Sequence, residues 1–212
     1  MSMDGSDRSL IDTLVADAAP VRRLWPMPVR WAVWLALCAM FAAMIGTAVG
    51  WSFPPHDAPM RFGAEMIVAL LAMLVWSALA LRAAVPGQTP RAGRVALALA
   101  VALSPLLFWH AAPGPPSFVA NGIPCAERTV ALALVPMLAM LWAVRRGAPL
   151  APRRAAALSG GAGFLIAYVL MRILCSVDEP AHLLVWHVLP IAGGVGVVAA
   201  AGGWWLSRWR RP

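Results

Sequence analysis

The sequence predicts an all-α membrane protein: a six-helix transmembrane bundle with both termini cytoplasmic and a short cytoplasmic N-terminal amphipathic helix. Three observations predict it. The 212-residue chain is 61% apolar and only 12% charged, with a mean hydropathy of +0.75, whereas a soluble domain carries about 25% charged residues. Six apolar runs approach the ~20 residues that cross a hydrocarbon core. All 17 basic residues are arginine, and threading the chain through those runs puts 14 of them on one side.

The runs are "WAVWLALCAMFAAMIGTAVGWS" (31–52), "FGAEMIVALLAMLVWSALALRAAV" (62–85), "VALALAVALSPLLFWHAA" (95–112), "TVALALVPMLAMLWAV" (129–144), "AAALSGGAGFLIAYVLMRIL" (155–174) and "LLVWHVLPIAGGVGVVAAAGGWWL" (183–206). The fourth is short and borrows from Ala126–Arg128. Proline- and glycine-rich breakers separate them: "SFPPHDAP", "VPGQTPRAG", "APGPPSFVANGIP", "RRGAPLAPRR" and "CSVDEP". Backbone polar groups in lipid must be satisfied within the segment, so the runs read as helices. The chain divides into a cytoplasmic arm (1–30), a transmembrane domain (31–207) and a basic cytoplasmic tail (208–212).

Arginines set the orientation. The arm, the second and fourth connections and the C-terminus hold 14, leaving Arg61, Arg128 and Arg172 on the other side. The positive-inside rule places both termini of this multi-pass protein in the cytoplasm. A net charge of +8 can signal nucleic acid. In so apolar a chain it fits anionic lipid instead, and no direct nucleic-acid binding is expected. The first thirty residues carry four acids and four arginines, unlike a cleavable signal peptide.

Chemistry separates by side. His56, His110, His182, His187, Cys125, Cys175 and the acids Asp57, Glu65, Glu127, Asp178 and Glu179 all fall at the outer end. Cys125 is placed in the third connection and Cys175 in the fifth. In an oxidising compartment they can form a disulfide, if their Cα atoms come within about 7 Å. Alternatively, with His182 and His187 they can hold a soft metal ion, although no C-x-x-C or H-x-x-x-H spacing is present. They can also be inert small residues. Arg172, near the end of its run, is read as snorkelling to the interface. Cys38 reads as a small apolar residue. Ala42, Gly46 and Gly50, and Ala192, Gly196 and Ala200, form small-residue ladders suited to close helix contact. Pro105, Pro136 and Pro190 are candidate kink points.

At the inner end, "SLIDTLVADAAP" reads as a short helix opened by a Ser9–Asp12 capping pair and stopped before Pro20. Leu10, Ile11, Leu14 and Val15 share one face, with Asp12 and Asp17 off it. Membrane-surface helices favour basic polar faces. An acidic one suits a groove on a protein partner with basic surroundings, and a solvated tail is the alternative, because an isolated helix this short is marginal in water.

The segments "LIDTLVADAAPVRRL", "RRGAPLAPRRAAALSGGAGFLIAYVL" and "LCSVDEPAHLLVWHVLPIAGGVGVVAAAGGWWLSRW", together with six spans, resemble the NrsF family of bacterial membrane anti-sigma factors. The resemblance implies a multi-pass protein of the bacterial inner membrane, with an extracytoplasmic-function (ECF) sigma factor as partner, held at the membrane until a stress signal such as heavy metal releases it. It implies that Cys125 and Cys175 are the sensing cysteines, and that Leu10, Ile11, Asp12, Leu14, Val15 and Asp17 grip the sigma factor. The spacing of Cys175, Asp178, Glu179, Pro180, His182 and Trp186 matches the family pattern, while His187 stands where a tyrosine is more usual. No cofactor is required on this reading, although a regulatory metal ion or a Cys125–Cys175 disulfide fits it. Oligomeric state is open.

Two other classes fit less well. A membrane thiol oxidoreductase needs a C-x-x-C pair and a quinone site. A small transporter needs paired charges near the midplane and repeated halves. Neither pattern is found, and no enzymatic activity is expected.

Overall fold

The computed structural model describes residues 9, 12–13, 15–16, 23–50, 59–87 and 118–208. Among these it is all helical, with no strand. Five helices are long and apolar enough to cross a membrane: α1 (Met27–Val49), α2 (Pro59–Ala83), α3 (Phe118–Arg145), α4 (Pro152–Leu174) and α5 (Pro180–Arg208). The third apolar run, 95–112, lies outside the described residues, as do His56 and His110.

Prolines set where the helices begin. α2, α4 and α5 each open on a proline, and α1 has Pro28 in its first turn. At that position the missing N–H costs nothing and φ is already helical. Each of these helices therefore starts a few residues before the apolar run that predicted it. The larger correction concerns α3. It begins at Phe118 and runs through Pro124, so residues 118–124 of the stretch read as a breaker are helix and Cys125 sits on a helix, not in a connection. A proline inside a membrane helix is tolerated where neighbours satisfy the freed backbone groups.

α4 is the central helix: 72% of its most apolar window is buried inside the protein, against 17% for α1 and for α5. Its sequence "SGGAGF" explains this. A Cβ added at Gly163 would lie 2.6 Å from the Met137 Cβ and 2.7 Å from the Met137 backbone on α3. Gly161 is covered by Trp76 of α2, and Gly160 faces Val198 of α5. Three neighbours thus approach α4 at close range, which is how helices gain packing energy in lipid.

On α5 the contact face differs from the ladder expected. Ala192, Gly196 and Ala200 are exposed. Gly194 and Gly202 instead meet Phe164 and Ala156 of α4. On α1, Gly46 is buried, while Gly50 ends the helix at φ 87°, with open space around it.

Polar bonds join α1 to its neighbours. Trp31 Nε1 donates to Ser77 Oγ of α2 at 2.9 Å. Trp34 Nε1 donates to the Pro136 carbonyl at 2.9 Å and Arg30 to the Ala143 carbonyl at 3.1 Å, both on α3. Buried cysteine Cys38 packs in the core, as expected.

Candidate metal centre

One end of the bundle gathers the start of α2, the start of α3, the end of α4 and the start of α5. Cys175 terminates α4, its N–H bonded to the Met171 carbonyl at 2.7 Å. Cys125 lies two turns into α3, where the Thr129 hydroxyl bonds its carbonyl at 2.8 Å. The two sulfurs stand 3.7 Å apart as free thiols. Residues 175–179 link α4 to α5, and His182 enters from the first turn of α5 with Nε2 3.6 Å from Cys175 Sγ.

His187 arrives by a different device. Leu184–Val188 form a π turn inside α5, with the Leu189 N–H bonded to the Leu184 carbonyl five residues back. Pro190 follows and has no N–H with which to close the α-helical bond to Trp186. The wide turn accompanies His187 buried beside His182, their ring centroids 5.4 Å apart. Such π turns recur at functional sites. Pro190, expected as a kink point, sits immediately after it. Trp186 packs across Gly122 of α3 and against Phe118, and Phe118 meets His182 edge-on.

The ligand atoms of Cys125, Cys175, His182 and His187 all lie within 4.8 Å of one another, and all four residues are buried. Both ring nitrogens of His187 are buried without a hydrogen-bond partner. A buried polar atom left in that state costs about 1–3 kcal/mol. The donor set can be tested against a tetrahedral ion. Bonds of about 2.3 Å to sulfur and about 2.0–2.1 Å to nitrogen place two sulfurs about 3.8 Å apart and a sulfur and nitrogen about 3.6 Å apart. The 3.7 Å and 3.6 Å separations match. The residues fit a borderline or soft divalent cation.

Beside this cluster lies a buried charge network that the sequence reading did not assemble. Arg172 is fully buried, which corrects its reading as a snorkelling residue. Its Nε donates to Glu65 Oε1 at 2.8 Å, and its Nη2 to Glu65 Oε2 at 3.3 Å and Asp178 Oδ1 at 2.7 Å. The Tyr168 hydroxyl also bonds Glu65. Arg61 at the start of α2 reaches the Asp178 carbonyl at 3.1 Å and Oδ1 at 3.3 Å. Asp178 is therefore held by α2 and α4 in the middle of the link that carries Cys175 at one end and leads to His182 at the other. The signal was present: Glu65 and Arg172 are an acid and a base inside apolar runs at the same end, and such residues pair.

Of the six residues expected to grip a partner, Asp12 and Val15 are described; both are helical and exposed. Leu10, Ile11, Leu14 and Asp17 lie outside the described residues. Ser9 is itself helical, with its carbonyl bonded by the Thr13 hydroxyl at 2.8 Å, so it does not occupy the capping position expected for it.

Among the described residues, five helices long and apolar enough to cross a membrane and a buried cysteine–histidine cluster at one end define a helical membrane protein. The family model described as negative regulator of sigma F matches residues 14–209, and the chain belongs to this NrsF family. No curated protein and no solved structure matches it.

Proposed function

We propose that the protein is an inner-membrane anti-sigma factor. It sequesters an ECF-type sigma factor through the cytoplasmic arm, residues 1–30, and releases it when the outer cysteines respond to metal or oxidant. The observation that carries this reading is the Cys125–Cys175–His182–His187 cluster, whose spacing suits a tetrahedral ion and whose His187 otherwise has no partner. Family membership supports the sigma-factor partner.

A bound divalent cation would supply positive charge and directional bonds among these four side chains. Cys125 and Cys175 would hold it as thiolates, and His182 and His187 as neutral imidazoles. An oxidant has a second route, since two thiols 3.7 Å apart can join as a disulfide. Either event has to favour a bundle arrangement with a weaker grip at the far end, or it shifts nothing there. Two contacts on α2 connect the ends through that helix. Asp178 in the ligand link is gripped by Arg61 of α2, Ser77 of α2 accepts from Trp31 of α1, and α1 follows the arm.

The test is co-purification of the full chain with its sigma factor, with and without Cd2+ or the thiol oxidant diamide, in wild type and Cys125→Ser/Cys175→Ser. Both agents should release sigma from the wild type and neither from the variant. Release from the variant equal to wild type defeats the sensing role. Absence of co-purification before any treatment defeats the anti-sigma role.

A further inference from the structure

We propose that an anionic phospholipid is held at the end of the bundle opposite the cysteine–histidine cluster, its phosphate among Arg23, Arg30 and Arg146. A cavity of about 550 Å³ opens there between the start of α1 and the end of α3. These three arginines line it, and among the described residues no carboxylate does. Arg30 is buried in the first turn of a membrane-crossing helix, fixed by its bond to the Ala143 carbonyl. Arg146 is stacked over the Trp142 ring at 3.8 Å.

Three arginines lining one partly enclosed space repel one another unless an anion joins them. A phosphate diester offers the acceptor oxygens that guanidinium forks match. The remaining walls select a lipid over free phosphate. Trp25, Trp142 and Val33 line the same cavity, and Val33 is half-exposed on α1, opening a path for an acyl chain along the helix. Indoles favour this depth, at the headgroup border. Arg23 and Trp25 immediately precede α1, so a lipid seated here fixes the point at which the arm leaves the bundle. This site does not depend on the metal reading.

The experiment is native mass spectrometry of the delipidated full chain in detergent, titrated with phosphatidylglycerol, phosphatidylcholine or inorganic phosphate. A phosphatidylglycerol adduct should persist at concentrations about tenfold below those needed for phosphatidylcholine, whose phosphate diester is the same but whose choline cation the arginines repel. Arg23→Gln/Arg146→Gln should lower its retention about tenfold. Arg82→Gln, an exposed arginine outside the cavity, should leave retention unchanged. Thermal unfolding checks that the variants fold, and Arg23→Gln alone, at an exposed position, serves if the double variant does not. Equal retention of the two lipids overturns the proposal, as does an adduct indifferent to the arginines. Displacement of the lipid by inorganic phosphate at similar concentration assigns the cavity to free anions and also overturns it. If Asp12→Asn/Asp17→Asn raises lipid retention, the cavity's occupant is the arm's own carboxylates, and the proposal falls.

Discussion

Arg172 of α4 and Glu65 of α2 form a fully buried ion pair, Nε to Oε1 at 2.8 Å, in the membrane-crossing part of the bundle. Arg172 holds Asp178 at 2.7 Å as well, so one guanidinium joins a helix that supplies no cysteine or histidine ligand to the link that does. Removing one partner strands the other in a medium with no water to solvate it.

Glu65→Ala should therefore destabilise the protein by about 3–5 kcal/mol, read as a fall in detergent unfolding midpoint. The double variant Glu65→Ala/Arg172→Met should recover part of that loss, because the buried cation is gone too. A double variant less stable than Glu65→Ala would show that Arg172 stabilises through other contacts.

Asp178→Asn keeps the shape of the link but weakens its hold by Arg172 and Arg61. Outer partners that orient metal ligands are typically worth 10–100-fold in affinity, and about tenfold is expected for Co2+ here. Titration followed by the thiolate-to-cobalt absorption band measures it. Unchanged affinity would mean that the cysteines and histidines are positioned by their helices alone.

The same band gives a pH prediction. Sulfur and imidazole bind a cation only after losing their protons, so Co2+ affinity should fall as the buffer is taken from mildly alkaline to mildly acidic. His187→Ala should weaken binding and alter the cobalt ligand-field bands, while leaving the sulfur charge-transfer band in place. Identical ligand-field spectra for His187→Ala and wild type would remove His187 from the ligand set.

Gly163→Leu tests the close α3–α4 contact. Even a methyl would come within 2.6 Å of Met137, and the nearest atoms include Met137 backbone, which cannot rotate away. A loss of about 1–3 kcal/mol or more is expected in thermal unfolding. Gly196→Leu on α5 meets open space and should cost far less.

Leu14→Asp and Val15→Asp put a charge on the apolar face of the arm. Sigma should then fail to co-purify in the absence of any signal, with the bundle's unfolding midpoint unchanged. Sigma retained by both variants would mean that another part of the protein provides the grip.

Membrane-crossing helices were legible because hydrocarbon leaves the backbone one option over each long apolar run, and composition alone reports those runs. Helix starts were less legible. A proline reads as a breaker in a linear scan, yet at the first turn it opens a helix, and α3 runs on through Pro124. That difference moved Cys125 from a connection onto a helix.

The four cysteine and histidine candidates could be named from their shared end of the chain's threading, but their meeting could not. It depends on Cys125 and Cys175 facing each other across α3 and α4, and on a π turn that accompanies the burial of His187. Residue spacing carries no information about rotation between two helices. The pairing of Glu65 with Arg172 was likewise a matter of which faces met. The sequence by itself determined the solvent each segment seeks, since transfer free energy depends on residue type. Only the tertiary structure decided which buried polar atoms are neighbours, because close approach through Gly160, Gly161 and Gly163 sets how the helices turn toward one another.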